Sequence, residues 1–315
     1  MSKFSTCTVR YGTVLMPTAI KDLPVLALNE ASIGRVPLMP DRRQKLENRY
    51  KKEKVKQMSI SALLGATGDN KQLYIWQKQK MDEMGITGFR AFMSDRLSQG
   101  IKMHSIIASV LAAIKERGSI CPEEVDEMIP KNTPKIVSQY IKSVRPFLVD
   151  LQNPEEIAVE RAVSHPLLGY HGRFDAVLKY KDALCMIDWK TSAVGSNFHK
   201  YGRDSMSFPS YSQQAAAYTS AFNHDPTYFE NSLISHALIV SAKEDGSPAE
   251  VFDLNTSDLT ENFSAFKEQL AVFWAKVRSS GKRVDFAYDP VKDPSYVAQS
   301  QPASISRTLT RNYRH

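Results

Sequence analysis

Asp175, Asp188 and Lys190 stand in GRFDAVLKYKDALCMIDWKTS (172–192), a stretch that reads as a β-hairpin. Strands are depleted in Asp, and ionised groups persist in a sheet where something pairs or binds them. A turn centred on Lys181-Asp182 sets Tyr180 across from Ala183, and counting outward sets Asp175 across from Asp188. Directly opposed Cβ atoms sit roughly 4.5–5.5 Å apart, where like charges repel. Lys190 lies two residues beyond Asp188 and so emerges on the same face. Two opposed carboxylates beside an ammonium make half of a divalent-metal site. A structural salt-bridge cluster around Lys190 would use the same three residues.

Further residues of the same chemical kinds lie on either side. His104, in SQGIKMHSIIASV, falls on a predicted amphipathic helix four residues after Gly100, and Glu160 interrupts the strand IAVERAV. Tyr211, Gln214 and Tyr218, spaced i, i+3 and i+7, form one stripe of a predicted helix. Thr191 and Ser192 follow Lys190 directly, where hydroxyls cap a strand end. Each has a plainer reading: a satisfied helical histidine, an acid reaching solvent, and tyrosines packed on the sheet.

The elements that must position these residues can be read from periodicity. Residues 1–56 are expected to be largely irregular, with Pro24, Pro37 and Pro40 and no sustained period. Met58 to Arg117 reads helical, with Ser59 or Ser61 as N-cap, and Gly85 can end an amphipathic run over 71–85. PEEVDEMI opens with Pro122 at a favoured first-turn position, and a further helix over 134–144 precedes Pro146. From Ile157 the period changes to two, giving three strands in succession, then a helix over 212–223. Two more strands and a helix over 259–277 follow. This order predicts an α/β core behind an N-terminal helical layer.

Composition bounds the function classes. The chain has 315 residues, 42% of them hydrophobic, enough for an ordinary core. Cys7, Cys121 and Cys185 are far apart and match neither a disulfide framework nor a zinc or iron–sulfur spacing. GATGDNK lacks the spacing and hydroxyl of a phosphate-binding loop, so no ATP use is expected. No uninterrupted apolar run reaches membrane-spanning length, and no membrane partner is expected. Net charge is +7, and residues 1–60 carry all of it, with 12 Lys/Arg against 5 Asp/Glu. Such a leader suits a targeting segment, a nucleic-acid-binding arm or a solvated helix face. The basic tail over 290–315 is expected to be disordered.

The order of motifs resembles the RecB-like branch of the PD-(D/E)XK nucleases. Gly100/His104, Glu160, Gly172/Asp175, Asp188/Lys190/Thr191 and Gln214/Tyr218 follow the pattern G-x-x-x-H, E, G-x-x-D, D-x-K-T, Q-x-x-x-Y. Within that branch, ERAVSHPLLGYHGRFDAVLKYKDALCMIDWKTS and QQAAAYTSAFNHD are similar to the mitochondrial genome-maintenance exonucleases, over about residues 57–255.

The resemblance implies a restriction-endonuclease-like core, a mixed sheet flanked by helices, with the N-terminal helical layer. It implies one nuclease domain over 57–285, with the layer at 57–148 and the catalytic core at 155–285. By analogy, His104, Asp175, Asp188 and the backbone carbonyl of Trp189 hold Mg²⁺ or Mn²⁺. By the same analogy Lys190 orients the attacking water or stabilises charge on the transition state, Gln214 positions Lys190 or a phosphate, Tyr218 braces it, and Glu160 shapes the site or helps bind a second cation. The implied substrate is single-stranded DNA with a free end, handled by a monomer in the mitochondrial matrix. Tyr74 and Trp76 are candidate base-stacking residues, with burial in the helical layer as the alternative. A flap endonuclease and a catalytically silent nucleic-acid-binding module are the competing readings.

Overall fold

The computed structural model describes residues 4–9, 12–17, 32–34, 58–68, 71–151 and most of 158–280. The expected disordered tail lies outside the described residues. The described chain falls into two compact units, one holding residues 71–98 and the other everything before and after them.

The larger unit is built on a six-stranded mixed sheet. Its strands are β3 (Met58–Ser59), β4 (Ala158–His165), β5 (Tyr170–Tyr180), β6 (Ala183–Ser192), β7 (His236–Lys243) and β8 (Glu250–Leu254). β5 runs antiparallel to both β4 and β6, β6 parallel to β7, and β7 antiparallel to β8. The parallel β6–β7 pair requires a crossover, supplied by a helix over Phe208–His224 (α5). β6 and β7 are almost continuously buried, as expected of strands covered on both faces.

Helices make the two covers. On one face α1 (Ile60–Thr67), α5 and α6 (Thr256–Ser280) bury Phe174, Phe222, Phe263, Phe266 and Phe273. On the other, residues 99–117 of α2 (Lys71–Arg117) and α4 (Lys135–Val149) pack Met103, Ile107, Val110 and Leu111 over Ile187, Trp189 and Val240. A short α3 (Pro122–Glu127) buries Val125 between them in sequence. One stretch of α2 is apolar and long enough to pass as a membrane span by composition, which the sequence reading had not expected. Its buried residues, however, face the sheet of this unit.

Local signals place these elements. Ser59 caps α1 by accepting from the Ala62 N–H at 3.3 Å. Asp225, at the end of α5, accepts from the Ser164 N–H at 2.8 Å and so fixes the helix to β4. Two expectations need correction. α4 runs through Pro146 to Val149, because a late proline forfeits a single helical donor while Phe147 and Leu148 behind it are buried. Residues 4–9 and 12–17, within a stretch expected to be largely irregular, form strands. β1 (Phe4–Val9) and β2 (Gly12–Pro17) pair antiparallel from Phe4↔Pro17 to Val9↔Gly12, in keeping with their Thr and Val content.

The smaller unit is a helical hairpin. α2 is interrupted at Gly85, whose φ of 72° and ψ of 170° are non-helical. Trp76 lies 6.3 Å from both Phe89 and Phe92. An uninterrupted helix would separate Trp76 and Phe89 by roughly 20 Å, so the chain doubles back at this glycine.

Candidate active site

β5 forks away from β6 at Asp175. Their ladder pairs Tyr180↔Ala183 through Ala176↔Ile187, and that register carried one step further sets Asp175 against Asp188. Beyond that point β6 continues with β7 only, to Ser192. Tyr170 and His171, at the other end of β5, have β4 on one edge and β3 on the other. Gly172 to Asp175 therefore lack a strand partner on the β6 side among the described residues. Asp175 fills part of that gap: its Oδ2 accepts the Trp189 N–H at 2.8 Å. Because N–H and C=O of one strand residue share an edge, the Trp189 carbonyl points into the same fork.

Glu160 joins the same row. The β4–β5 register pairs Val159↔Ala176 and Arg161↔Phe174, which sets Glu160 against Asp175. Three acids from three adjacent strands, Glu160, Asp175 and Asp188, thus share one line across the sheet. Glu160 has φ 51°, a left-handed conformation costing roughly 1–2 kcal/mol for a residue with a side chain. The apolar pattern slips phase here: Phe174 and Val177, three residues apart, belong to the same core, where strict alternation would part them. Strain and irregularity concentrated at a row of acids are what functional sites commonly store.

Side chains converge on the row from both helical layers. From α2, His104 Nδ1 lies 3.3 Å from Asp175 Oδ1 and 3.6 Å from Glu160 Oε1. Burial opposes its charge, but the Asp175 and Glu160 carboxylates outweigh that and raise the imidazole to about 10. Ligand atoms of His104, Glu160 and Asp175 all lie within 4.8 Å of one another. From α5, Gln214 Oε1 accepts from Lys190 Nζ at 2.9 Å, and Gln214 Nε2 donates to the Tyr218 hydroxyl at 3.2 Å. Lys190 Nζ also stands 2.7 Å from Asp188 Oδ2 and 4.8 Å from the centre of the Tyr211 ring, against its face. Burial pushes the Asp188 carboxyl up to about 6 against the pull of Lys190. Burial likewise opposes the Lys190 charge, yet Asp188 and Asp175 hold its ammonium above the ordinary range.

The predicted residues separate into two groups. His104, Glu160 and Asp175 make an acidic pocket with an imidazole, while Asp188, Lys190, Gln214 and Tyr218 make a chain of contacts that fixes an ammonium. Glu160 stands closer to the first group than the sequence suggested, and Asp188 is engaged by Lys190. Gly172 has a direct steric reason: a Cβ there would meet Tyr218 Cε1 at 2.3 Å. Gly100 has open space around it, and Thr191 sits within β6 across from Ala242, short of the strand end at Ser192. Tyr74 and Trp76 belong to the other unit, where Trp76 packs on Phe89. Two residues escaped the sequence reading. Arg173 donates to Glu160, and Tyr211, seen only as part of a helical stripe, covers Lys190. Neither contact is encoded in spacing.

Gly172→Ala is expected to lower stability by about 1–3 kcal/mol, since Tyr218 is buried and cannot yield freely. It should also disturb the Lys190 contacts, because Tyr218 holds Gln214 and Gln214 holds Lys190, and with them any turnover that depends on Lys190. Denaturant midpoints beside turnover rates check both effects.

Two carboxylates and an imidazole suit a hard or borderline divalent cation, and a fixed ammonium beside them suits an oxyanion. That is a polar centre for chemistry on a phosphoryl or similar anionic group, carried on an α/β fold with a mixed sheet between helices. By sequence, the chain is similar to mitochondrial genome maintenance exonuclease 1 of Homo sapiens, 34% identical over 197 residues, covering 61% of this chain and 50% of that protein. The Xenopus tropicalis protein of the same name is 33% identical over 208 residues (65% and 53%), and that of Mus musculus 29% over 194 (61% and 51%). The chain thus spans about half the length of the curated relatives it matches. No protein-family model matches it. A solved structure described as SSO0001 covers 78% of this chain and 88% of that one, at 11% identity and a TM-score of 0.32.

Proposed function

We propose that this protein is a divalent-metal-dependent DNA exonuclease of the PD-(D/E)XK type that hydrolyses single-stranded ends during mitochondrial DNA maintenance. The observation that carries the reading is the acidic row Glu160–Asp175–Asp188, with His104 at one side and Lys190 at the other. The relatives' names, exonucleases of mitochondrial genome maintenance, agree with it.

The residues fit a cation. His104 carries a proton between Asp175 and Glu160, which marks a pocket with negative charge to neutralise. His104, Glu160, Asp175 and the Trp189 carbonyl would hold Mg²⁺ or Mn²⁺, with Asp188 beside them. When bound, such a cation supplies Lewis-acid polarisation of a phosphoryl oxygen.

The protein's own groups do the rest. Lys190, tethered by Asp188 and Gln214 under the Tyr211 ring, presents a preorganised ammonium where the phosphate gathers negative charge. Tyr218 keeps the Gln214 amide turned so that its oxygen, not its nitrogen, meets Lys190. Asp188 holds Lys190 in place by their ion pair, although burial raises its carboxyl above the usual carboxylate range.

Cation binding is expected to release close to one proton at pH 7–8. His104 is protonated below about 10 in the free site and must be neutral as a ligand. Apparent affinity should therefore climb by up to about tenfold per pH unit from neutrality toward pH 10. Calorimetric titration of Mn²⁺ in buffers of different ionisation enthalpy counts the proton, and His104→Gln should abolish the release.

Incubation of a 5′-labelled linear single strand beside a circular one, with Mg²⁺, Mn²⁺ or EDTA, tests the function. The reading expects degradation of the linear strand alone, blocked by EDTA. Cutting of the circle would replace it with an endonuclease. Binding of both strands without cleavage would leave a silent nucleic-acid-binding module.

A further inference from the structure

We infer that Arg173 is a phosphate-binding residue, one that grips the DNA backbone next to the phosphate being cleaved; the inference rests on the nuclease reading above. Its Nε donates to the Glu160 carbonyl at 3.0 Å and forms an ion pair with Glu160 Oε2 at 2.8 Å. The guanidinium is therefore anchored at one edge to the acidic row. Its side chain is still 67% exposed, and the two Nη groups have no partner among the described residues.

Charge says why a cation is needed at that place. Glu160, Asp175 and Asp188 would repel a polyanion, and the ammonium of Lys190 is already engaged by Asp188. Arg173 is the exposed cation attached to this row. A guanidinium with Nε fixed has its free fork held in one direction, which suits the paired oxygens of a phosphate.

A purely structural duty, holding Glu160 in its left-handed conformation, uses Nε alone and predicts something different. The test is binding of a fluorescent single-stranded oligonucleotide in EDTA, measured over a range of salt concentrations for wild type, Arg173→Ala and Arg173→Lys. One lost phosphate contact should reduce the magnitude of the slope of log affinity against log salt by about 0.7 in Arg173→Ala. Arg173→Lys, which keeps a point charge but not the fork, should restore that slope while binding more weakly than wild type. Mn²⁺ titration of the same variants reports on Glu160 separately. An Arg173→Ala slope equal to wild type, with Mn²⁺ affinity reduced, would overturn the inference and leave Arg173 as a brace for Glu160. Absence of salt-dependent DNA binding and of cleavage in the wild type would instead remove the nuclease reading itself.

Discussion

Lys190→Met is expected to lower the rate of strand hydrolysis by roughly 10²–10³-fold, the usual cost of deleting one preorganised donor to a developing oxyanion. The methionine keeps the packing of the aliphatic stem and removes the charge. Gln214 Oε1 loses its donor, and Tyr211 loses the cation beneath its ring. Asp188 loses the partner that opposes its burial, so its carboxyl should rise above about 6 and stay protonated near neutrality. That protonation spares the fold the expense of an uncompensated buried charge. DNA affinity and the thermal midpoint should therefore change little while turnover collapses. Single-turnover cleavage beside equilibrium binding separates the two, and cleavage at the wild-type rate would remove Lys190 from the chemistry.

Asp175→Asn should have an effect at least as large, through the cation. The amide oxygen can still accept the Trp189 N–H, so the fork between β5 and β6 is preserved. What disappears is the negative charge facing His104. Affinity for Mn²⁺ is expected to fall by more than about 100-fold, and hydrolysis with it. The His104 imidazole, deprived of the hydrogen bond and charge that hold it at about 10, should titrate lower. Both changes are measurable on one sample, by metal titration and by the pH dependence of the His104 ring resonances. An unchanged imidazole would mean that Glu160 alone sets its charge.

Much of this centre was legible because strand pairing follows from counting. The Lys181-Asp182 turn fixed Tyr180 against Ala183, and the ladder keeps that register as far as Ala176↔Ile187, one step short of Asp175 and Asp188. Gly85 broke its helix where a glycine permits φ above zero, and Ser59 capped α1. The departures share a physical origin. Counting assumes regular strands, and the left-handed Glu160 and the phase slip at Asp175 are irregularities that only the folded environment sustains. The Arg173–Glu160 and Lys190–Tyr211 contacts depend on where long side chains reach, which spacing does not encode. Pro146 misled because the helix needs only one bond fewer to continue past it.

His104, Glu160 and Asp175 are proposed to form a divalent-cation site serving phosphodiester hydrolysis. Crystals grown with Mn²⁺ and examined at an anomalous wavelength test it most directly. A peak is expected among those three side chains, lost in Asp175→Asn crystals together with cleavage of a linear single strand. A wild-type protein that cleaves with Mn²⁺ while no peak occupies that place, or whose peak lies elsewhere, would contradict it.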